Sequence, residues 1–343
     1  MIGIEDLEFG WFAAFMLLLI GYAILDGFDL GVGMLHLCTK DNEERRIMLN
    51  SIGPVWDGNE VWLVTAGGAL FAGFPDIYAT MMSSFYLPIM TLLAGLIFRA
   101  VAIEFRSKEN MRWWRLIWDI TFFCGSAMIA FILGLVLGNL IYGIPLSEQK
   151  EFTGDLSAIF HPYTILIGFF ANALFILHGS TYLLMKTEGV LHDKIRAWTN
   201  HTLIIFVIMY AISTLSTIIY MPHMIEALRE RPFFFLIAIV NILVVANIHR
   251  TIRLKKDGWA FISSCANIIC LLVLYAIGTY PNVIRSIDEP DRLSLTIYNS
   301  ASSSLTLRIL FTFALIGLPL VISYTTAIYY IFRGKVKIDP HSY

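Results

Sequence analysis

Nine mostly apolar stretches follow one another along the chain, separated by short polar connections. A helix needs about 20 such residues to cross the hydrocarbon core of a membrane. We therefore predict nine membrane-spanning helices, at roughly 9–37, 52–74, 77–104, 114–142, 159–185, 198–221, 232–250, 259–280 and 305–332. The second stretch is the least apolar, and the alternative count is eight spans with one re-entrant segment.

The composition agrees with this pattern. Of the 343 residues, 57% are hydrophobic and only 15% are charged, whereas soluble domains carry roughly a quarter charged residues. The mean hydropathy is +0.71. We predict an all-α, polytopic membrane protein in which 1–343 form a single integral-membrane domain of helical bundles. The formal net charge of −2 gives no indication of a nucleic-acid partner.

The Lys and Arg residues predict the orientation. Seventeen of the 24 fall in the connections on one side of the predicted membrane, six fall on the other side, and Arg99 lies inside the third span. Cytoplasmic loops carry an excess of these residues. We therefore predict an outside N-terminus and a cytoplasmic C-terminus, which an odd number of spans requires.

Ionisable side chains interrupt the first three predicted spans. Each costs roughly 2.5–3.5 kcal/mol at the bilayer centre, so such residues face protein or water and are candidates for function. With the predicted topology, all of them fall in the cytoplasmic half of their spans, and we expect one polar patch. They are Asp26 and Asp29 in the first span, Asp57 and Glu60 in the second, and Arg99 and Glu104 in the third.

Other interpretations compete for some of these residues. Asp57 and Glu60 are also typical of acids that stabilise the first turn of a helix through its macrodipole. Arg99 and Glu104 are close enough to a span end to reach the interface or to pair locally. For Asp76 and Asp119, near span ends, we expect solvation or helix capping. The patch as a whole suits either proton uptake or a cation site.

The histidines and cysteines give no convincing cofactor site. Haem needs an axial His, Met or Cys ligand, and His178 is the histidine that lies well inside a predicted span. A hydrogen-bonded core histidine is the competing interpretation of His178. The four cysteines form no CxxC pair, and we predict no metal site from their spacing.

Three segments resemble subunit II of the cytochrome bd quinol oxidases. They are LDGFDLGVGML at 25–35, RRIMLNSIGPVWDGNEVWLVTAGGALFAGFP at 45–75 and IFRAVAIEFRSK at 97–108. The resemblance is specific over about 20–110 and rests on span number, length and orientation elsewhere. It implies nine spans, an outside N-terminus and a place in the bacterial cytoplasmic membrane.

The resemblance also implies the function. Such a complex oxidises quinol and reduces oxygen to water, and its haems, two b-type and one d-type, are expected in the partner subunit I. Subunit II supports assembly and is expected to deliver protons from the cytoplasm. A small third subunit and a bound quinone or lipid are further expectations.

The resemblance assigns candidate residues of the proton path. Asp26, Asp29 and Asp57 match positions of the family motifs directly, and Glu104 stands where the family often has Asp. Glu60 stands where Gln is common, so it is the weakest candidate. We expect Asn59 and Arg99 to support the path. The alternative function is an independent secondary transporter coupled to a cation or to protons.

Overall fold

Helices make up most of the chain in the computed structural model, which describes residues 4–337. The long helices are joined by short ones, by two 3-10 turns at His36–Cys38 and Pro232–Phe234, and by one small sheet. The helices are α1 (Ile4–Leu35), α2 (Asn42–Ile52), α3 (Trp56–Gly73), α4 (Pro75–Ser84), α5 (Tyr86–Phe105), α6 (Arg112–Tyr142), α7 (Leu156–Ile159), α8 (Pro162–Lys186), α9 (Gly189–Tyr220), α10 (His223–Glu230), α11 (Phe235–Arg253), α12 (Asp257–Thr279), α13 (Pro290–Leu293) and α14 (Ser304–Ile331). The antiparallel strands are β1 (Asn282–Ile284) and β2 (Leu295–Thr296).

Eight helices within the described residues are long and apolar enough to cross a membrane: α1, α5, α6, α8, α9, α11, α12 and α14. They confirm an all-α polytopic membrane protein. The predicted second span corresponds to α3, which is absent from these eight because Asp57, Asn59 and Glu60 lower its hydropathy. The number of nine spans therefore stays a prediction.

The predicted third span is divided into two helices. Its first part is α4, which ends at Ser84, and its second part is α5, which begins at Tyr86. Pro88 explains the break, because proline has no N–H to donate to the Ser84 carbonyl and its ring clashes with that carbonyl in a continuous helix.

Two connections that we expected to be loops are largely helical. The 38–51 connection contains α2, whose first turn is capped by the Asp41 side chain accepting from the Glu43 N–H. The 186–197 connection is the start of α9, which begins at Gly189. Both segments combine charged residues with buried apolar ones, such as Met48 and Leu49 in α2 and Leu191 and Ile195 in α9, and hydropathy alone does not register such helices.

The connections we assigned to one side of the membrane lie together at one end of the bundle, which we call the basic end. Contacts there join α2, the α5–α6 connection, the end of α8, the start of α9, the start of α12 and the tail after α14. These contacts are Lys194 Nζ to Glu44 Oε1 (2.6 Å), Arg106 Nη2 to Asn42 Oδ1 (3.0 Å), Arg196 Nη2 to Asp257 Oδ1 (2.8 Å) and Lys335 Nζ to the Leu184 carbonyl (3.0 Å).

The opposite end is built from the 143–158 and 281–303 connections and the α3–α4 corner. Ser302 binds the backbone of that corner through its N–H, 2.8 Å from the Gly73 carbonyl. Thr80 donates to the Lys150 carbonyl across 3.0 Å. The 281–303 segment carries β1, α13 and β2, so it is a structured surface element. Which end faces the cytoplasm stays a prediction.

Helix α1 is central to the bundle, since it packs against α3, α6, α8, α12 and α14. Its closest approach is to α8, where Gly31 and Gly179 face each other. A Cβ on Gly31 would lie 1.9 Å from the Phe175 carbonyl oxygen. Glycine is therefore required at 31, and this contact fixes the height of α1 beside α8. By contrast, α14 and α11 are the most exposed of the eight helices.

We predict that Gly31→Ala lowers the stability of the bundle, because the added methyl group forces α1 and α8 apart. Overpacking of this kind costs about 1–3 kcal/mol. The midpoint of thermal unfolding of the protein in detergent measures the effect. Gly258→Ala is the matched control, since a Cβ at Gly258 would meet no atom within 4 Å. Equal midpoints for the two variants would contradict the close contact.

Candidate functional site

Four ionisable side chains from the first three predicted spans form one cluster, which we call the acid cluster: Asp26, Asp29, Glu60 and Arg99. Asp26 lies nine residues before the end of α1 and Arg99 six before the end of α5. At 1.5 Å per residue these distances are about 14 Å and 9 Å. The cluster is therefore within the membrane-spanning part of the bundle, on the side of the basic end.

Arg99 and Asp26 form the central ion pair. The guanidinium donates from Nη1 to Asp26 Oδ2 across 2.9 Å and from Nη2 to Oδ1 across 2.5 Å. Both side chains are fully buried. Such a two-point pair is strong and geometrically specific. Gly95 and Gly125 allow α5 and α6 to approach closely beside Arg99, so that the guanidinium is shielded from lipid.

Glu60 brings α3 to the same guanidinium. Its Oε1 lies 3.4 Å from Arg99 Nη2, which is near enough for an ion pair but is not aligned as a hydrogen bond. The Glu60 side chain keeps one fifth of its surface exposed. Arg99 therefore links α5 to both α1 and α3, and Glu60 is the member of the cluster with access to its surroundings.

Asp29 is held by an amide. Asn59 Nδ2 donates to Asp29 Oδ2 across 2.8 Å and to the Leu25 carbonyl across 3.2 Å. The hydroxyl of Tyr329, on α14, donates to Asn59 Oδ1 across 3.0 Å. Asp29 Oδ1 is buried and has no hydrogen-bond partner in the described structure. The acid therefore keeps one oxygen available to a water or a proton.

Asp57 lies outside the acid cluster, which differs from the single patch that the sequence predicted. It is exposed in the first turn of α3 and lines a groove of about 760 Å³ between α1, α3 and α14. Three residues along a helix correspond to 300°, so Asp57 and Glu60 are 60° apart around α3. That rotation is enough to direct Asp57 into the groove and Glu60 towards Arg99.

Glu104 lies half-buried on α5, five residues after Arg99. Five residues turn a helix by about 140° beyond one full turn. Glu104 therefore belongs to a different face of α5 and lies about 7.5 Å nearer the basic end. Helix geometry thus places Glu104 and Arg99 on different faces of α5, on the same side of the predicted membrane.

His178 has the environment of a core histidine. Its Nδ1 is 2.9 Å from Ser264 Oγ and its Nε2 is 2.9 Å from the Ile24 carbonyl oxygen. Phe261 stacks on the ring with the centroids 5.0 Å apart. Both ring nitrogens are engaged in hydrogen bonds, so this histidine joins α8 to α1 and α12 and is not arranged as an axial haem ligand.

A second buried charge cluster, which we call the Asp119 cluster, was missed from the sequence. Asp119 is 1% exposed and binds His36 Nε2 at 2.5 Å, Arg45 Nη1 at 2.6 Å and the Nε of Arg106. The expectation that Asp119 is solvated or a helix cap is wrong, because α6 turns this residue towards the 3-10 turn after α1, towards α2 and towards the end of α5. Asp76, in contrast, is exposed in the first turn of α4, as expected.

Arg106 was the available signal for the Asp119 cluster. It follows Arg99 by seven residues, which is two helical turns, so the two arginines point from the same face of α5. Each binds a buried aspartate: Arg99 binds Asp26 of α1, and Arg106 binds Asp119 of α6. The α5 face thus carries two ion pairs at two depths.

Comparison with known proteins decides the family. Residues 7–332 match the family described as cytochrome bd terminal oxidase subunit II. The chain belongs to this family. It is 35% identical to the cytochrome bd-I ubiquinol oxidase subunit 2 of Escherichia coli (strain K12), over 98% of this chain and 97% of that protein. It is also 35% identical to the cytochrome bd ubiquinol oxidase subunit 2 of Bacillus subtilis (strain 168), over the full length of both.

The fold comparison agrees. The structure of the bd oxidase from Geobacillus thermodenitrificans contains a chain that aligns with a TM-score of 0.79, covering 95% of this chain and 98% of that one. The sequences are 18% identical, so this likeness concerns the fold alone. The chain is accordingly a subunit of a bd-type oxidase and a multi-pass protein of the bacterial inner membrane. The alternative of an independent transporter is not supported.

We predict that Asp119→Asn destabilises this subunit, because it leaves Arg45 and Arg106 without their carboxylate. Removing one partner of a buried ion pair costs about 3–5 kcal/mol. Thermal unfolding of the purified oxidase complex measures it. Glu148→Gln removes one of the two carboxylates that pair with Arg292 at the surface, and an exposed pair is worth about 0–1 kcal/mol. An Asp119→Asn midpoint equal to that of this control would refute the structural role of the cluster.

Proposed function

We propose that the acid cluster carries protons through this subunit, from the cytoplasm towards the oxygen-reducing haem of a bd-type quinol oxidase. The observation that supports it is the group of three carboxyl groups around one guanidinium inside membrane-spanning helices. Each such group costs several kcal/mol at this depth, and chains of acids in membranes mark ion and proton paths.

The charge balance of the cluster fits this role. Arg99 forms two hydrogen bonds with Asp26, so this pair is the fixed element of the cluster. Glu60 has only the longer, unaligned contact with the same guanidinium, and Asp29 forms its hydrogen bond with Asn59. Each keeps an oxygen without a hydrogen-bond partner in the described structure. These two acids are therefore the ones able to take up and release a proton without breaking the central ion pair.

The proposed entry is at the basic end, which is the predicted cytoplasmic end. Asp57 is exposed there, and Glu60 follows one turn further into the membrane along α3. Glu104 occupies the same end on α5. We propose that protons pass from these carboxylates to Glu60 and then to the buried acids beside Arg99.

The whole complex needs such a path. Reduction of one oxygen molecule to water takes four electrons, supplied by quinol, and four protons. The haems supply the oxygen and electron chemistry, and we propose that they are held by the partner subunit I in a heterodimer. His178 of this chain is engaged on both ring nitrogens and does not fit an axial ligand.

We also propose that 1–343 act as one membrane unit, that a small third subunit is accommodated, and that a quinone or lipid lies in a groove.

We predict that Asp29→Asn and Glu60→Gln each slow quinol-driven oxygen consumption by about tenfold or more, which corresponds to about 1.4 kcal/mol of activation free energy. The amide keeps the shape of each side chain but carries no exchangeable carboxyl proton. The measurement uses the complete oxidase in liposomes, with the membrane potential recorded in parallel.

Asp76→Asn is the matched control, because Asp76 is an exposed acid at the opposite end of the bundle. It should leave turnover and membrane potential unchanged. Haem spectra establish that each variant contains its cofactors. Fully loaded Asp29→Asn and Glu60→Gln complexes with the turnover of the control would refute the proton path through these two acids.

A further inference from the structure

The groove beside α3 reaches almost to the acid cluster. It runs between α1, α3 and α14, and its lining is mainly apolar. Polar groups concentrate near the basic end, where Asp57, Asn59, Thr325 and Tyr329 line it. Asp29 is fully buried and is not part of the lining. Asn59 and Tyr329 therefore form the wall between the groove and Asp29.

The hydrogen bonds of Asn59 fix this wall. Two acceptor oxygens, Asp29 Oδ2 and the Leu25 carbonyl oxygen, face the amide, so the donating Nδ2 must point towards them. Asn59 Oδ1 must then point the other way, and the Tyr329 hydroxyl satisfies it. Asn59 is 2% exposed, so without that hydroxyl its oxygen would be buried without a partner, which costs about 1–3 kcal/mol.

The chemistry of the amide makes the wall a barrier to protons. A carboxamide donates hydrogen bonds but does not titrate in the physiological range, so Asn59 does not pass a proton on to Asp29. Proton exchange between the groove and Asp29 would require water to enter in place of the amide. The Tyr329–Asn59 contact opposes this by holding the amide in place through its oxygen.

We propose that Tyr329 is a positioning residue that seals Asp29 from the groove by holding Asn59 in place. The seal rests on the proposed proton path, because it confines proton exchange of Asp29 to the side of Glu60 and Arg99. Helix α14 is well placed for this function. It is anchored at the basic end by Lys186 Nζ, 2.6 Å from the Phe332 carbonyl oxygen, only three residues beyond Tyr329.

Labelling by an apolar carbodiimide tests the seal. Dicyclohexylcarbodiimide reaches carboxyl groups from the membrane and leaves a stable N-acylurea, which peptide mass spectrometry locates. In the complete oxidase in liposomes, we expect Tyr329→Phe to raise labelling of Asp29 by about fivefold, the factor that corresponds to one neutral hydrogen bond. Tyr324→Phe should leave labelling unchanged, because Tyr324 lines the same groove but is exposed and has no side-chain hydrogen bond in the described structure.

A double substitution tests whether Tyr329 acts through Asn59. Residues that act through one contact show non-additive effects. In the Asn59→Leu background, Tyr329→Phe should therefore cause no further labelling. Labelling of Asp29 in Tyr329→Phe equal to that of the unaltered protein would overturn the proposal, as would an undiminished fivefold increase in the Asn59→Leu background. Labelling reports access, so its outcome is separate from that of the turnover of Asp29→Asn.

Discussion

The buried pair between Arg99 and Asp26 is the interaction on which the polar interior of this subunit depends. Two charges removed from water are tolerated only when their geometry and hydrogen bonds compensate the desolvation. The two-point contact provides this for Asp26. The same guanidinium also draws Glu60 of α3 to the α1–α5 contact. Without this cation, three carboxyl groups would be buried together with no charge to balance them.

The surrounding packing serves that pair. The contact between Gly31 and Gly179 sets the position of α1 along α8. The close contact between Gly95 and Gly125 lets α6 cover Arg99. One further ion pair on the same face of α5, between Arg106 and Asp119, ties the end of that helix to α6. Helix α5 is thus held at two depths, which keeps the acid cluster rigid while Asp29 and Glu60 retain oxygens for proton exchange.

The sequence predicted the helices well and their contacts less well. Apolar runs locate the spans because the bilayer thickness sets their length, and the acids and Arg99 inside them were recognised as candidates because charge there is expensive. The division at Phe85 was missed because Pro88 acts on a carbonyl four residues earlier within an apolar run. Asp119 was misjudged because its position near a span end says nothing about what faces it.

The choice between Asp57 and Glu60, in the second predicted span, shows that sequence alone also does not say which residues meet. Family motifs favoured Asp57 over Glu60, whereas the structure places Glu60 beside Arg99 and Asp57 in the groove. A rotation of 60° about α3 separates the two environments, and helix periodicity alone does not state which face meets α5. Tyr329 was not recognised as a partner of Asn59, because the two residues are 270 positions apart in the chain. A tyrosine in an apolar span is also typical of a residue that only packs against its neighbours.

Infrared difference spectroscopy of the intact oxidase, reduced and then reacted with oxygen, tests the central claim most directly. Carboxylic acids that change protonation or hydrogen bonding give C=O stretching bands that shift in deuterated water. The account predicts such bands during the reaction, with one lost in Asp29→Asn, another lost in Glu60→Gln, and both kept in Asp76→Asn. A carboxyl region identical in all of these proteins would contradict it.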